Sequence, residues 1–156
     1  MKKYLSIVVA LLLAFTLTAC GGKKDYKEYT GYAFEGQDPW GNPLSINFKE
    51  LKDDKYTWTY NVVIGEGEYA LTFSGEFTNE IDDGVIEFDI KGTALEDPNN
   101  SYEYTGTLTL KDEKVIVKYE EGEVTESSPE GGSSAYQVGG LEEGENEVTL
   151  KKVEAK

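Results

Sequence analysis

Acidic side chains give this sequence its widest choice of chemistry, because thirty of its 156 residues are Asp or Glu. Four polar residues alternate like the first ligands of a calcium-binding loop: Asp97, Asn99, Ser101 and Glu103. That loop needs glycine at its sixth position and glutamate at its twelfth, where this sequence has Tyr102 and Leu108. A turn in an acidic surface explains the pattern better, and we predict no metal site.

Missing residue types narrow the chemistry further. The chain has neither histidine nor arginine, and Cys20 is its one cysteine. These absences exclude Ser-His-Asp and Cys-His nucleophile systems, the usual zinc, copper and non-haem iron ligand sets and bidentate arginine clamps. A glycosidase-type carboxylate pair is compatible with the composition, but such an enzyme also needs a long cleft. We therefore predict a non-enzymatic protein with no catalytic residue and no cofactor.

The first twenty residues have the organisation of a secretion signal. Two lysines near the start precede an apolar run from Ile7 to Leu17, and the small residues Thr18 and Ala19 follow. The run is shorter than the roughly 20 residues of a membrane-spanning helix. This order of positive, apolar and small residues is typical of a leader that is removed, here residues 1–19.

The end of the leader, Leu17-Thr18-Ala19-Cys20, resembles the lipobox of bacterial lipoproteins. The resemblance implies that Cys20 receives a diacylglyceryl group on its sulfur and becomes the N-terminus, with residues 20–25 as a lipidated tether. Two acyl chains make a stable anchor. The expected location is the extracytoplasmic face of a cell membrane, at a Gram-positive surface or in a periplasm. The alternative is a plain signal peptide followed by a chance cysteine.

Charge limits the partners of the domain. The net charge is −15, and every acidic residue follows the leader. A field of this sign repels nucleic acid and anionic headgroups, so we predict no nucleic-acid binding and a domain that stands off the membrane. Lys23 and Lys24 are the exception, because each could gain about 1 kcal/mol beside an anionic surface; a solvated tether is the other interpretation.

Residues 26–156 have the pattern of one antiparallel all-β domain. Alternating apolar and polar residues, rich in Thr, Tyr, Val, Ile and Phe, predict half-buried strands near 26–34, 44–49, 56–62, 69–77, 86–91, 102–110, 115–119 and 148–151. The segments Lys52-Asp53-Asp54-Lys55 and Lys111-Asp112-Glu113-Lys114 are near copies that lead into strands. Asp82-Asp83-Gly84 supplies a hairpin glycine, and Asp97-Pro98-Asn99-Asn100 fits a type I turn.

Three repeated triplets favour a barrel over an open sheet: Tyr29-Thr30-Gly31, Phe73-Ser74-Gly75 and Tyr104-Thr105-Gly106. Glycine within a strand marks a bend, a bulge or a close approach, and small barrels need such bends to close. We predict a closed or nearly closed meander of about eight strands, with a sandwich as second choice. In architecture alone the domain resembles lipocalin-like and avidin-like barrels. Residues 120–146, rich in Glu, Gly and Ser, are predicted to be a mobile acidic loop.

Aromatic residues are the candidate ligand contacts. Seven fall on the inward phase of the predicted strands: Tyr56, Trp58, Tyr60, Tyr69, Tyr102, Tyr104 and Tyr119. They would line a cavity with placed hydroxyls or form a filled core, and an eight-stranded barrel allows either. Trp40, in the predicted loop after the first strand, would stack on a sugar or a partner protein, or fold back over the barrel end.

The functional expectation is therefore a lipid-anchored, monomeric binding module. Its ligand would be a small apolar or sugar-like molecule or an envelope protein partner, with contacts predicted at Trp40, Tyr56, Trp58, Tyr60, Tyr102 and Tyr104. The alternative is a passive structural envelope lipoprotein with a filled barrel and no specific ligand.

Overall fold

The structure, a computed structural model, describes residues 25–127, 133–137 and 144–153. Nine strands lie in this part of the chain: β1 (Ala33–Gln37), β2 (Pro43–Lys52), β3 (Lys55–Ile64), β4 (Leu71–Glu80), β5 (Val85–Thr93), β6 (Ser101–Lys111), β7 (Lys114–Ser127), β8 (Ser133–Gln137) and β9 (Glu147–Val153). Two short 3-10 turns, Tyr26–Tyr29 and Gly67–Tyr69, complete the described elements. No described element is an α-helix.

One antiparallel sheet contains all nine strands. Eight follow the order β4-β3-β2-β1-β9-β7-β6-β5, and β8 pairs only with the C-terminal residues of β7, from Glu123 to Ser127. The eight strands of the main path curve into a nearly closed barrel. The predicted all-β antiparallel meander of about eight strands is thereby confirmed. Closure falls between β4 and β5, which are consecutive in the chain but lie at the two ends of the sheet order.

Alternating burial explains why these segments are strands. In β3, every second residue from Tyr56 to Ile64 is buried, and the threonines and other residues between them are partly exposed. β6 repeats the pattern from Tyr102 to Leu110. One face of each strand therefore packs into the barrel and the other faces solvent, as a period of two requires.

Three two-residue turns gather at one end of the barrel, which we call the turn end. Asp53–Asp54 joins β2 to β3 and Asp112–Glu113 joins β6 to β7, and all four residues have φ between 52° and 57°. Asp83–Gly84 joins β4 to β5 with φ of 43° and 82°. Positive φ at both turn positions is the geometry of a type I′ hairpin, so the two near-identical segments are the same turn used twice.

The longer connections lie at the opposite end, the loop end. They include residues 38–42 between β1 and β2, 65–70 between β3 and β4, and 94–100 between β5 and β6. In the last of these, the amide of Asn100 donates to the carbonyl of Asp97 at 3.0 Å, which confirms the turn predicted there. Asp97 Oδ1 also accepts hydrogen bonds from the backbone and side-chain nitrogens of Asn99, at 3.0 and 2.8 Å.

The β4–β5 seam is the one interruption in the described wall of the barrel. The two strands meet in a bridge between Phe73 and Ala94 at the loop end, and the turn bridge of Asp82 and Val85 closes the other end. No ladder joins β4 to β5 between these bridges in the described chain. Each strand is nevertheless fully paired on its other side, β4 with β3 and β5 with β6.

A bulge between β6 and β7 depends on a glycine. Thr105 pairs with Glu121 and Gly106 pairs with Tyr119, so Glu120 is the extra residue. A Cβ at position 106 would lie 2.0 Å from the carbonyl oxygen of Lys118 and 2.8 Å from the ring of Phe88. Glycine is therefore required here by close approach of the partner backbone.

The predicted starting residues of two strands are wrong. Residues 26–34 are not one strand, because Asp25 caps a 3-10 turn at Tyr26–Tyr29 and Gly31, with φ of 82°, redirects the chain before Ala33. The predicted strand at 69–77 begins at Leu71 instead, because the 3-10 turn Gly67–Tyr69 precedes it. The side chain of Tyr69 lies outside the described part.

The acidic loop predicted at 120–146 is wrong for two segments. Residues up to Ser127 continue β7, with Val124 fully buried opposite Tyr102 of β6. Ser133–Gln137 forms β8 within the predicted loop. Alternation of Glu121, Glu123 and Thr125 with Gly122 and Val124 is the strand signal that the acidic composition concealed. Residues 128–132 and 138–143 lie outside the described residues.

Gly106→Ala tests the bulge. We expect the free energy of unfolding to fall by about 1–3 kcal/mol, as for overpacked sites, because the new methyl group overlaps the Lys118 carbonyl. Chemical denaturation of both proteins measures the loss. Thr107→Ala, on the same strand, is the control and should change stability much less. Equal stability of Gly106→Ala and the parent would contradict the close approach.

Candidate functional site

Five of the six predicted ligand contacts are buried inside the barrel. Tyr56 and Trp58 are 0% exposed, and Tyr60, Tyr102 and Tyr104 are 2% exposed. Trp40, on the loop 38–42, is partly buried against the same core. The structure brings only some of them together, because they divide into a group near the turn end and a group near the loop end.

The group near the turn end consists of Tyr56 and Trp58. The ring of Tyr56 packs edge-on against Phe48 at a centroid distance of 4.8 Å, and its hydroxyl bonds to Thr30 Oγ1 and to the carbonyl oxygen of Tyr26. Trp58 donates from Nε1 to Asn79 Oδ1 at 2.9 Å. Their polar atoms are thus already bonded within the protein, and Tyr56 fastens the N-terminal turn to the barrel.

The group near the loop end is a continuous aromatic layer formed by Tyr60, Tyr102, Tyr104 and Tyr119. Tyr60 stacks on Tyr102 with centroids 5.7 Å apart, and Tyr104 meets Tyr119 edge-on at 5.2 Å. The hydroxyls of Tyr60 and Tyr119 are hydrogen-bonded at 3.2 Å. Tyr119 therefore belongs to this layer although it was not among the six predicted contacts.

This aromatic layer fills the barrel interior near the loop end. A cavity large enough to hold a ligand would leave accessible surface on the side chains that line it. The four tyrosines are 0–2% exposed, so their rings enclose no such cavity inside the barrel. The filled core is the alternative that the described side chains favour, and the prediction that these rings contact a ligand stays a prediction.

Trp40 closes the loop end of the barrel. Its ring stacks on Tyr104 at a centroid distance of 5.9 Å and an interplanar angle of 29°, and lies 6.3 Å from the ring of Tyr119. It therefore folds back over the aromatic layer. The loop 38–42 with this ring is the Trp40 cap.

A buried carboxylate, Asp38, holds the cap in place. It is 5% exposed; Oδ1 accepts from the amides of Trp40 and Asn42 at 2.9 and 2.8 Å, and Oδ2 accepts from Asn42 Nδ2 at 2.9 Å. Sequence reasoning missed this residue. An Asp followed by Pro, Gly and Asn in a short loop is the signal of a side chain that bonds its own turn.

Burial dominates the electrostatics around the cap. It raises the pKa of Asp38, although the hydrogen bonds from Asn42, Trp40 and Gly41 act in the opposite direction. Burial also raises the pKa values of Tyr60, Tyr104 and Tyr119, and the nearby Asp38 charge adds to each shift. Asp38 is thus a carboxylate of raised pKa. Its oxygens accept hydrogen bonds from residues of its own loop, so the carboxylate stabilises the Trp40 cap.

Tyr102 has an unusual hydroxyl. Its oxygen is buried and has no hydrogen-bond partner, the only such case among the described side chains. Burial raises its pKa to about 12. A Cβ built on Gly75 of β4 would lie 2.9 Å from this oxygen, and one on Gly92 of β5 would lie 3.0 Å from it. The hydroxyl therefore lies between the two strands, at the loop end of the β4–β5 seam.

A shallow cleft of about 320 Å³ lies on the outer face of the sheet beside this point. Gly92 and Tyr102 belong to its lining, together with polar residues of β5, β6 and β7: Lys91, Thr93, Ser101, Glu103, Glu123 and Thr125. Cross-strand pairing of Lys91 with Glu103, and of Thr93 with Ser101, brings them side by side. None of these neighbours of the seam was predicted as a site apart from Tyr102.

Comparison of the chain with protein-family models, curated proteins and solved structures finds no match to any of the three. Within residues 25–127, 133–137 and 144–153, no helix has the length and apolar character of a membrane span. The same residues contain no group of three acidic side chains arranged to hold a metal ion.

Alkaline titration tests the aromatic layer. Burial raises the pKa values of Tyr60, Tyr102, Tyr104 and Tyr119, so the folded protein keeps these protons to a higher pH than the unfolded chain, whose tyrosines titrate at about pH 10. Their contribution to stability is therefore complete below about pH 10 and is lost as the pH rises further. We expect tyrosinate absorbance of the buried rings to appear together with loss of the strand circular dichroism signal. Ionisation of all tyrosines with native dichroism would contradict the burial.

Trp40→Ala tests the cap. We expect the free energy of unfolding to fall by about 2 kcal/mol. This is less than the 3–5 kcal/mol lost when a fully buried tryptophan is replaced by alanine, because the ring is only partly buried on Tyr104. Thermal unfolding measures the change, and Trp40→Phe, which keeps an aromatic ring, should retain most of the stability. An unchanged midpoint for Trp40→Ala would mean that the ring contributes no packing.

Proposed function

We propose that this chain is a lipid-anchored, extracytoplasmic binding module that engages a partner protein through the outside of its barrel. The anchor is the diacylglyceryl group on Cys20, which the lipobox-like Leu17-Thr18-Ala19-Cys20 implies. The observation that carries the proposal is the position of the first described segment. Tyr26–Tyr29 packs at the turn end, where the Tyr26 ring lies beside Gly84 and the Tyr26 carbonyl accepts a hydrogen bond from the Tyr56 hydroxyl.

This geometry gives the barrel a direction relative to a membrane. A tether that joins Cys20 to Asp25 would hold the turn end inward, and the loop end would face away. The loops 38–42, 65–70 and 94–100 contain five acidic residues and no lysine. Leu95, in the last of them, is 68% exposed, one of two large hydrophobic side chains that are exposed in the described chain. Burial of this side chain against a partner would remove apolar surface from water.

The filled interior directs binding to the outer surface. Because the side chains of Tyr60, Tyr104 and Tyr119 are almost wholly buried and Trp40 stacks on Tyr104, these rings offer a small ligand almost no accessible surface. Of the candidate ligands, an envelope protein therefore fits the geometry better than a small apolar or sugar-like molecule.

A passive structural role is the second candidate, and the same filled core favours it. In-cell photo-crosslinking separates the two roles. A photoreactive residue is placed at position 95, and the proteins that become cross-linked to it are compared for the two cases. A binding module gives a discrete cross-linked product that a probe at Glu35, on the exposed face of β1, does not give. A passive body gives the same products from both positions.

Cys20→Ala tests the anchor. Cells that express the full chain are fed a clickable fatty acid, and the label on the protein is measured together with its membrane fraction. We expect the substitution to abolish labelling, because the thiol is the acylation site, whereas Thr18→Ser, which keeps a small residue in the motif, should still be labelled. Labelled, membrane-bound Cys20→Ala protein would contradict the lipoprotein proposal.

A further inference from the structure

The outer cleft on β5, β6 and β7 has side chains of three kinds in successive layers. Leu95 lies nearest the loop end. Thr93 and Leu95 are exposed and Ala94 between them is buried, so the two side chains point out of the same face. The strand register then sets a row of hydroxyls and, beyond it, a row of charges: Thr93, Ser101 and Thr125, followed by Lys91, Glu103 and Glu123.

The charged row of the cleft is not balanced within itself. Glu103 lies between Lys91 and Glu123 in the register, so it has one opposite and one like charge as neighbours. Like charges directly opposite each other on a sheet are destabilising. Lys91 and Glu103 are exposed, and no ion pair joins them in the described chain. A cation that enters the cleft is therefore favoured by the cleft and by the net charge of −15 on the chain.

The hydroxyl row places hydrogen-bond acceptors beside the Glu103 carboxylate. Ser101 and Glu103 are two residues apart on the outer face of β6, and Ser101 pairs in register with Thr93 of β5. A guanidinium has five N–H donors in a planar fork, so it can bond a carboxylate and neighbouring hydroxyls together. The cleft volume of about 320 Å³ is at the lower limit of ligand sites, roughly 300–1,000 Å³, and suits a single side chain.

The loop that presents Leu95 is held in place by hydrogen bonds. The Leu95 amide donates to the Thr72 carbonyl at 2.8 Å, and the Ala94 amide donates to the Asn100 carbonyl at 2.9 Å. The Glu96 carboxylate accepts from the Thr72 amide at 2.7 Å. An exposed side chain on a fixed loop loses little freedom when a partner covers it. Leu95 is therefore a preformed apolar contact at the rim of the cleft.

We propose that the outer cleft and Leu95 together bind a partner protein through two of its side chains, one cationic and one apolar. This inference rests on the proposed binding function and names the chemistry of the partner. The cation, arginine in preference to lysine because of its planar fork, bonds the Glu103 carboxylate and the hydroxyls of Thr93 and Ser101. The apolar side chain packs on Leu95.

The probe is N-acetyl-leucyl-arginine amide, titrated onto the nitrogen-15-labelled, full-length lipidated chain in detergent micelles at physiological salt. We expect saturable NMR shifts of the amides of Thr93, Ser101 and Glu103. The matched control replaces arginine by citrulline, which keeps the shape of the side chain and removes its charge, and it should bind at least about fivefold more weakly. Replacing the leucine of the probe by glycine should weaken binding by about threefold, because the contact with Leu95 is lost.

Three variants locate the two contacts. Glu103→Gln should weaken binding of the probe about fivefold, whereas Glu87→Gln, the same charge change at an exposed position of β5 outside the cleft, should change it less than about twofold. Lys91→Gln should strengthen binding, because it removes a positive charge beside the bound cation. Leu95→Ser should weaken binding of the leucine probe and leave binding of its glycine counterpart unchanged.

Several results would overturn the proposal: no saturable shift, equal binding of the citrulline probe, equal losses in Glu103→Gln and Glu87→Gln, or shifts confined to another face of the barrel. Tighter binding of N-acetyl-leucyl-glutamate amide, lost in Lys91→Gln, would make the cleft an anion site and overturn it too. The photo-crosslinking from position 95 separates this inference from the proposed function. A discrete product that Glu103→Gln leaves unchanged counts against the cleft alone, whereas the lack of any discrete product counts against the binding function.

Discussion

Aromatic rings inside the barrel connect the two halves of the sheet across the gap that the backbone leaves open. Tyr60 of β3 stacks on Tyr102 of β6 at 5.7 Å, and Phe73 of β4 meets the same ring at 5.6 Å. Trp58 of β3 reaches Phe88 of β5 at 6.1 Å. Each such pair stabilises by about 0.5–1.5 kcal/mol beyond its buried area, so the contacts replace part of the ladder that β4 and β5 do not form.

Aromatic packing also positions the segments at both ends of the barrel. At the loop end it gives Trp40 a ring to stack on, and Asp38 then fixes the cap through its own turn. At the turn end Tyr56 holds the N-terminal segment in place. The rings also occupy the barrel interior, so the proposed binding is assigned to the outer surface.

Much of the fold could be predicted because its signals are local. Alternation from Tyr56 to Val62, or from Tyr102 to Leu110, identifies strands and their buried face without knowledge of the partner strands. The near-identical segments at residues 52–55 and 111–114 predict two similar turns in the same way. Prediction was wrong where composition misled, as in residues 120–127, whose glutamates suggested a loop although Val124 and Gly122 keep the strand period.

The candidate site was harder to foresee because it depends on distant pairs. Tyr102 could be predicted to point inward, but its unpaired hydroxyl is a consequence of Gly75 and Gly92 facing each other across β4 and β5. The seam itself is an absence of pairing, which no residue pattern encodes. Asp38 is likewise ordinary in sequence, and its burial follows from the stacking of Trp40 on Tyr104.

Amide hydrogen exchange of the free protein tests most directly whether ring packing, and not a continuous ladder, closes this barrel. Amides of β4 and β5 that face β3 and β6, such as Phe77 and Phe88, should exchange slowly. Those that face the seam, Thr78 and Asp89 among them, should exchange fast, giving a period of two along each strand. Uniform slow exchange of both sets would show that β4 and β5 are hydrogen-bonded throughout and would contradict the account.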